Sequence, residues 1–354
     1  MSEIKNRKRI LVAPLNWGLG HATRCIPIIK ALEQEGFEPI IASDGKALEL
    51  LQKEFPTVES VTLPSYSIKY AKKGSDFKWK MIFGFSGIAK AIKKERKQTK
   101  QLIDTLNIDG IISDNRLGVN HTTVPTVYIT HQVNVIFGNL TWLSSKAHRY
   151  YMNKFSVCWV PDKTGRVNIS GKLGHINKTW DKLNYIGPLS RFEEKKVDHK
   201  YDVAIVLSGP EPQRSILEQK LITELTTYNG TVLFVKGVVE EKQKCWVEDT
   251  VTYYNFMESN QLEEALNESA VVLSRSGYTT IMDLAKLNKK AYFIPTPGQY
   301  EQEYLAKRLK KYGYAPSCKQ DDFTFAKLEE IVVYKGLHQF VENNTDWPAL
   351  FSLF

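Results

Sequence analysis

The chain has 354 residues, of which 42% are hydrophobic and 25% charged, and its net charge is +9. This is the composition of a soluble globular protein, and the length favours two domains over one. It excludes a membrane-spanning protein, because no apolar run approaches the roughly 18–20 residues of a span. The first residues lack the apolar stretch of a signal peptide, so we expect a cytoplasmic protein. Four widely spaced cysteines argue against a disulfide framework or a structural zinc site.

The first half of the chain alternates short apolar strands with helices. The pattern predicts strands at 9–13, 39–42, 58–63, 109–113 and 126–130, and helices at 22–35, 45–54 and 87–106. Such alternation is typical of a parallel sheet that helices cover on both faces.

Residues 65–100 carry the whole excess of positive charge, with eleven basic residues against two acidic ones. Basic residues interleaved with aromatic ones fit an anionic membrane surface, at the inner face of the membrane. They fit equally well a solvated helix face preceded by a loop that packs its aromatic residues inward. The membrane alternative predicts contacts by Lys78, Trp79, Lys80, Phe83 and Phe85. No nucleic-acid-binding module is recognisable, so we do not expect nucleic acid as a partner.

A charged stretch after Gly187-Pro188 marks the boundary between two predicted domains, 1–188 and 189–354. The last residues are apolar enough to pack back toward the first domain. The second half predicts strands at 202–207, 231–236, 251–254, 270–273 and 291–294, and helices at 212–227, 261–267, 278–287 and 301–312. We therefore expect an α/β protein of two facing Rossmann-like parallel-sheet domains, with a cleft between them and ligand loops at the carboxyl ends of the strands.

The first glycine turn, Gly18-Leu-Gly-His21, follows a strand and opens a helix, where backbone N–H groups can bind an anion. It has two of the three glycines of a dinucleotide fingerprint, and Asp44 ends the next strand where a ribose-binding acid would lie. A nicotinamide-dependent reductase is therefore one alternative. A histidine inside the turn favours a transferase instead, because an acceptor hydroxyl must lose a proton to a base. His21 as a simple helix cap is the structural alternative.

The second glycine turn carries a resemblance to a known family. The segment Ser274-Arg-Ser-Gly-Tyr-Thr-Thr-Ile-Met-Asp-Leu-Ala285, with 291–295 and 301–306, resembles the donor-binding half of GT-B glycosyltransferases. It is most similar to the MurG family, which transfers N-acetylglucosamine from its UDP-sugar to a lipid-linked acceptor. The turn at 18–21 resembles the N-terminal glycine loop of the same families. Residues 112–118 and 127–132 resemble a less characterised bacterial and archaeal branch.

The resemblance implies a set of donor-binding residues in two turns and the segments beside them. Asp283 stands where the family has a ribose-binding Glu, and Gln302 and Glu303 match a Gln-Gln pair that binds the donor sugar. Phe256 and Met257 fall in the base-binding segment. The strand-to-helix turns Ser208–Arg214 and Ser276–Thr280 hold the diphosphate at helix starts. The complete set is Gly20, Ser208, Gly209, Arg214, Phe256, Met257, Arg275, Ser276, Gly277, Thr279, Thr280, Asp283, Gln302 and Glu303.

The implied reaction is an inverting transfer of a hexose or N-acetylhexosamine from a nucleotide-sugar, a UDP-sugar by resemblance, to a hydroxyl of a glycan or glycolipid of the cell envelope. No cofactor and no metal are expected, since Arg275 or Arg214 and the helix starts would stabilise the leaving diphosphate. His21 is the first candidate for the base, and Asp114 and His131 are the alternatives. Asp114 has a structural alternative, an ion pair with Arg116, and the structural alternative for His131 is a hydrogen-bonded histidine at the end of a strand.

Two further functions stay open. A UDP-sugar epimerase of the same fold would use Asp114 and Glu303 as its catalytic acids. A non-catalytic module would keep the nucleotide-sugar site without an acting base.

Overall fold

The computed structural model describes residues 7–66, 77–135, 141–176, 179–238, 240–341 and 345–354. The chain divides into two compact units. Unit 1 comprises Met1–Leu189 together with Glu342–Phe354, and unit 2 comprises Ser190–Val341. The C-terminal segment is thus part of the first unit.

Unit 1 is built on a seven-stranded sheet in which all neighbouring strands are parallel, in the order β3-β2-β1-β4-β5-β6-β7. Alternate residues of its central strands, such as Leu11, Ile40 and Ile111, pack into one buried apolar cluster. This is what short, wholly apolar runs in a parallel sheet require. Its strands are β1 (Arg9–Pro14), β2 (Glu38–Ser43), β3 (Ser60–Thr62), β4 (Gly110–Asp114), β5 (Thr126–Ile129), β6 (Val157–Val160) and β7 (Leu183–Tyr185).

The helices of unit 1 are α1 (Leu19–Gln34), α2 (Gly45–Glu54), α3 (Phe77–Leu106), α4 (Thr141–Met152) and α9 (Trp347–Phe351). Two of them begin earlier than predicted: α1 begins at Leu19, inside the glycine turn, and α3 begins at Phe77. The sequence did not predict α4, β6 or β7. The described part of the chain contains no helix that is long and apolar enough to cross a membrane.

Unit 2 is built on a six-stranded sheet in the order β10-β11-β9-β8-β12-β13. β10 is an antiparallel edge strand, which the sequence did not predict, and the other neighbours are parallel. The strands are β8 (Tyr201–Val206), β9 (Val232–Val235), β10 (Cys245–Glu248), β11 (Val251–Tyr254), β12 (Ser269–Ser274) and β13 (Lys290–Phe293). The helices are α5 (Gln213–Leu225), α6 (Ser259–Asn267), α7 (Tyr278–Lys286) and α8 (Tyr300–Lys311), followed by short 3₁₀ segments between Gln320 and Phe340.

Each sheet reverses its winding at one pair of strands. In unit 1 the chain goes from β1 outward to β2 and β3, and then returns to β4 on the other side of β1. In unit 2 the corresponding neighbours are β8 and β12. Loops leaving the carboxyl ends of such a pair diverge and leave room for a ligand, so these two points are where an open α/β sheet places its site.

Candidate functional site

The glycine turn of unit 1 leaves the switch point of its sheet. β1 ends at Pro14 and α1 begins at Leu19, with Gly18 before it at a φ of 80°. Side chains with a Cβ rarely adopt that conformation, so glycine lets the chain turn this sharply. Gly20 lies in the first turn of α1, where its carbonyl accepts a hydrogen bond of 3.2 Å from Thr23 Oγ1. The turn places His21 one residue later, against the end of β4.

His21, Arg24 and Asp114 form one buried cluster. His21 Nδ1 lies 2.9 Å from Asp114 Oδ1, and Arg24 donates to both carboxylate oxygens of Asp114. Asp114 is 0% exposed and Arg24 1%, whereas the His21 side chain is 14% exposed. The ring of His21 therefore binds Asp114 instead of capping its helix, and it is the member of the cluster that reaches solvent.

The charges of the cluster fix the protonation states of its acid and base. Burial by itself would raise the pKa of Asp114, but Arg24 and His21 together hold that pKa at about 2. Burial, and then the charge of Arg24, lowers the pKa of His21 below 6.5 against the opposing effect of Asp114. At neutral pH Asp114 is therefore ionised and His21 neutral.

Two neighbours of His21 Nδ1 favour different tautomers of the ring. Asp114 Oδ1 lies 2.9 Å from Nδ1 and can only accept, which favours a proton on Nδ1, whereas Arg24 Nη2 lies 2.8 Å from the same nitrogen and can only donate, which favours a lone pair there. In the tautomer that Asp114 favours, the lone pair of the ring lies on Nε2, for which the described residues provide no hydrogen-bond partner. That tautomer has the arrangement of a neutral histidine that an aspartate orients as a general base.

His131 joins the cluster through Arg24. Arg24 Nη1 lies 3.0 Å from His131 Nδ1, and His131 is 5% exposed. Since Arg24 can only donate, His131 Nδ1 is the acceptor. The structure thus brings the three predicted base candidates together around one arginine. Arg24 itself was not predicted, because nothing in a helical pattern tells which way a buried arginine points.

A chain of hydrogen bonds leads from Asp114 to His148 and supports the cluster. The sequence did not predict it. The Tyr128 hydroxyl lies 3.0 Å from both Asn115 Oδ1 and His148 Nε2. Asn115 Nδ2 lies 3.4 Å from Asp114 Oδ1. Asn115 has a φ of 58°, a conformation that asparagine tolerates better than most residues. An asparagine directly after a strand is compatible with a positive φ, and this was the only sign in the sequence that the chain turns sharply at Asn115.

Arg116 pairs with Asp44 and Glu95, and the alternative in which it pairs with Asp114 is wrong. Its Nε also donates to the Pro14 carbonyl at 2.9 Å. Asp114, the last residue of β4, is already bound by Arg24. Asp44 is 7% exposed and bound to Arg116, so the ribose-binding acid of a nicotinamide site is engaged in an internal ion pair.

In unit 2 the two predicted diphosphate turns lie side by side at the switch point. Val206 of β8 pairs with Ser274 of β12, so Ser208-Gly209 and Ser276-Gly277 leave adjacent strand ends. Gly209 has a φ of 109°. Ser276 is buried and its hydroxyl donates to the Gln302 carbonyl at 2.8 Å.

Ser276 therefore binds the start of α8. Thr279 and Thr280 lie, half-buried, in the first turn of α7, whose N-cap Gly277 supplies no side-chain cap. The N-terminal end of α7 carries the partial positive charge of the helix.

The two arginines predicted to stabilise the diphosphate are bound within unit 2. Arg214 pairs with Glu211 and Glu218. Arg275 is 1% exposed and donates to the carbonyls of Gln213, Ile294 and Pro295 and to Gln320 Oε1. Burial lowers the pKa of Arg275 to about 10. Both side chains hold loops at the carboxyl edge of the sheet.

Asp283 is buried beside the segment that opens unit 2. Ser190 Oγ donates to Asp283 Oδ1 at 2.7 Å. Burial raises the pKa of Asp283 to about 6, although Arg191 and the Ser190 hydroxyl lower it. The sequence treated Ser190 and Arg191 as part of a linker and so missed that they contact this acid.

The remaining donor candidates lie at the same edge of the sheet. Gln302 Oε1 accepts from Thr296 N and Glu303 Oε1 accepts from Gly298 N, both at 2.8 Å, so both side chains hold the loop before α8. Phe256 and Met257 follow β11 and are half-buried. The side chains of Lys78, Trp79, Lys80, Phe83 and Phe85 lie outside the described part of the structure. The described ranges hold no cluster of three or more metal-ligating side chains.

Comparison with known proteins agrees with this architecture. Residues 213–340 match the glycosyltransferase family 28 C-terminal domain. An uncharacterised glycosyltransferase of Methanosarcina acetivorans is 24% identical over 333 residues, which cover 86% of this chain and 84% of the relative. A UDP-N-acetylglucosamine–N-acetylmuramyl-(pentapeptide) pyrophosphoryl-undecaprenol N-acetylglucosamine transferase of Haemophilus ducreyi is 23% identical, covering 92% and 89%. The crystal structure of Acinetobacter baumannii MurG superposes with a TM-score of 0.55 at 15% identity, covering 92% and 89%.

The fold and the family match define a glycosyltransferase with the GT-B fold, as the second glycine turn predicted. Among these enzymes, the chain is similar to MurG, and the bacterial and archaeal relatives match it over 89% and 84% of their own length.

Proposed function

We propose that this glycosyltransferase moves a hexose or N-acetylhexosamine from a UDP-sugar to a hydroxyl of a glycan or lipid-linked acceptor, with inversion and without a metal ion. The observation that carries the proposal is the arrangement of His21, Asp114 and Arg24 at the switch point of unit 1. It provides a neutral, oriented imidazole that reaches solvent.

His21 Nε2 takes the proton of the acceptor hydroxyl as that oxygen attacks the anomeric carbon. The imidazolium that forms is stabilised by ionised Asp114, which stays charged because its pKa is about 2. Arg24 opposes this stabilisation, so it keeps the His21 pKa low and the ring neutral before each turnover. Attack opposite the leaving group inverts the anomeric configuration.

Unit 2 binds the donor. The adjacent turns at Ser208-Gly209 and Ser276-Gly277 present helix N-termini, which stabilise the departing diphosphate. Asp283, to which Ser190 Oγ donates, stands where the family resemblance implies ribose binding. UDP is the proposed nucleotide because the Haemophilus ducreyi relative is named for a UDP-sugar.

The first test is a thermal-shift panel of UDP, GDP, ADP, NAD and UDP-sugars. Selective stabilisation by UDP and its sugars supports the donor, since a ligand that binds the folded state raises the melting temperature by mass action. Stabilisation by NAD alone would refute it.

The second test measures hydrolysis of the stabilising UDP-sugar, with water as acceptor, in wild type, His21→Gln and His199→Gln. His199 is exposed and serves as the matched histidine control. A loss confined to His21→Gln, of about 100-fold or more, supports the base. Equal rates in both variants would exclude it.

The epimerase alternative is disfavoured by the geometry of its proposed acids. Asp114 is bound on both oxygens by Arg24, with a pKa of about 2, so it is a poor proton acceptor at neutral pH. Glu303, the second acid of that alternative, accepts a hydrogen bond from the Gly298 amide and so holds a loop.

A further inference from the structure

A basic cavity lies on unit 1 apart from the His21 cluster. Its volume is about 490 Å³ and it opens to solvent. Three of its basic side chains come from α3 (Arg96, Lys97 and Lys100), and the others are His121 and Lys154. Asn120 and Thr122 complete the lining, which contains no acidic residue.

The charge of this cavity is not neutralised by its surroundings. Within the described ranges, neither Arg96, Lys97, Lys100 nor Lys154 has a carboxylate at ion-pair distance. Glu95, the neighbouring acid on α3, is turned to the protein interior, where it binds Arg116 and the Tyr66 hydroxyl. The acid nearest in sequence is therefore engaged elsewhere.

Arg96 has two buried hydrogen-bond donors that face no acceptor in the described ranges. Its Nε and Nη2 atoms are buried and have no hydrogen-bond partner in the described part of the chain. A buried donor without an acceptor costs free energy, and a charged one costs more. A bound anion lowers the cost of burying the charge.

An aromatic ring holds two of the cations in place. The Arg96 guanidinium lies 6.0 Å from the centre of the Tyr151 ring, and the Lys154 ammonium lies 5.3 Å from the same centre. Lys154 is also 4.5 Å from the centre of the Tyr150 ring. Ring faces attract cations, so these contacts preorganise Arg96 and Lys154 beside the cavity.

We propose that this cavity binds the phosphate group of an anionic ligand. A guanidinium recognises phosphate oxygens in its plane, and ammonium groups add charge without fixed geometry. The volume exceeds the space of a single phosphate and suits a larger molecule that bears one. The ligand is either a free phosphate compound or the headgroup of an anionic lipid.

The test compares two double variants that remove the same charge from the same helix. Lys97→Gln/Lys100→Gln alters the cavity, whereas Lys93→Gln/Lys94→Gln alters exposed residues that do not line it. All four lysines are exposed, so both variants are expected to fold. Binding of inorganic phosphate is measured by calorimetry at constant ionic strength, because exposed charges are screened by salt. Phosphate that binds elsewhere contributes equally to all three proteins.

The expected result is saturable phosphate binding that weakens about tenfold or more in the cavity variant and is unchanged in the control variant. A parallel arm uses vesicles of phosphatidylglycerol and of phosphatidylcholine. Binding to phosphatidylglycerol without binding of free phosphate, lost in the cavity variant alone, assigns the site to a lipid headgroup. An equal loss in both variants, or no saturable binding in either arm, overturns the proposal.

Discussion

Replacement of Asp114 by asparagine tests the electrostatics of the His21 cluster most directly. The change keeps the size of the side chain and removes its charge. Arg24, 1% exposed, then remains as a buried cation that has lost its carboxylate. His21 loses the acceptor that orients its ring.

The expected cost in stability can be worked out from the pKa of Asp114. Its value of about 2 in the folded protein, against 3.8 ordinarily, corresponds to roughly 2 kcal/mol of stabilisation at neutral pH. Leaving a buried charge without its partner costs about 3–5 kcal/mol. We expect Asp114→Asn to lose about 3 kcal/mol, because the amide oxygen still accepts one hydrogen bond from Arg24.

The stability difference between wild type and Asp114→Asn should depend on pH in a defined direction. A lowered folded pKa means that the contribution is complete above the unfolded value of 3.8 and is lost as pH falls toward 2. The gap in unfolding free energy between wild type and Asp114→Asn should therefore narrow by about 1 kcal/mol between about pH 5 and pH 3.

Urea unfolding at several pH values measures this gap, with Asp104→Asn as an exposed control on α3. A loss below about 1 kcal/mol at pH 7, or a gap independent of pH, would refute the assigned ion pair.

Three further predictions concern the remaining parts of the site. In His21→Gln, kcat should fall about 100-fold or more, with an unchanged KM for the donor. In the wild-type enzyme, a pH–rate profile should show activity that rises with pH through a pKa below 6.5, as His21 loses its proton, and then levels off. Asp283→Asn should be more stable than wild type at pH 7, by roughly 3 kcal/mol, because a pKa raised from 3.8 to about 6 makes the ionisation of Asp283 destabilising above pH 3.8, and fully so above about pH 6. Its donor affinity should fall, so a variant with lower stability and unchanged affinity contradicts this role. Arg275→Met should lose about 3 kcal/mol in urea unfolding, since four acceptors lose their donor, two in buried and two in part-buried hydrogen bonds. An unchanged free energy of unfolding would show that the loops do not depend on Arg275.

The sequence predicted the buried parallel strands well and the edges of the sheets poorly. Central strands such as β1 and β12 are short apolar runs between polar turns, a pattern that is visible without tertiary information. β10 is largely exposed and its four residues do not alternate, so only its pairing with β11 makes it a strand. β7 has only three residues, which are too few to show an alternating pattern.

The site was predictable to the extent that its residues end strands or open helices. His21, Asp114 and His131 each lie at such a position, and parallel strands bring those ends to one edge. Arg24, Tyr128 and their contacts depend on side-chain directions that sequence spacing does not fix. The ion-pair partners of Arg116 could not be predicted for the same reason: they are Asp44, which follows β2, and Glu95 on α3, both distant from Arg116 in sequence.

The return of the chain to unit 1 has a consequence for synthesis on the ribosome. Phe351 packs against Phe37 and Trp159, with ring centres 5.7 and 6.4 Å apart, yet the whole of Ser190–Val341 is translated between them. At about 5–20 residues per second this segment takes roughly 8–30 s. During that interval Phe37 and Trp159 lack their aromatic cover, so the nascent first unit presents an apolar target for chaperones until the second unit has been made.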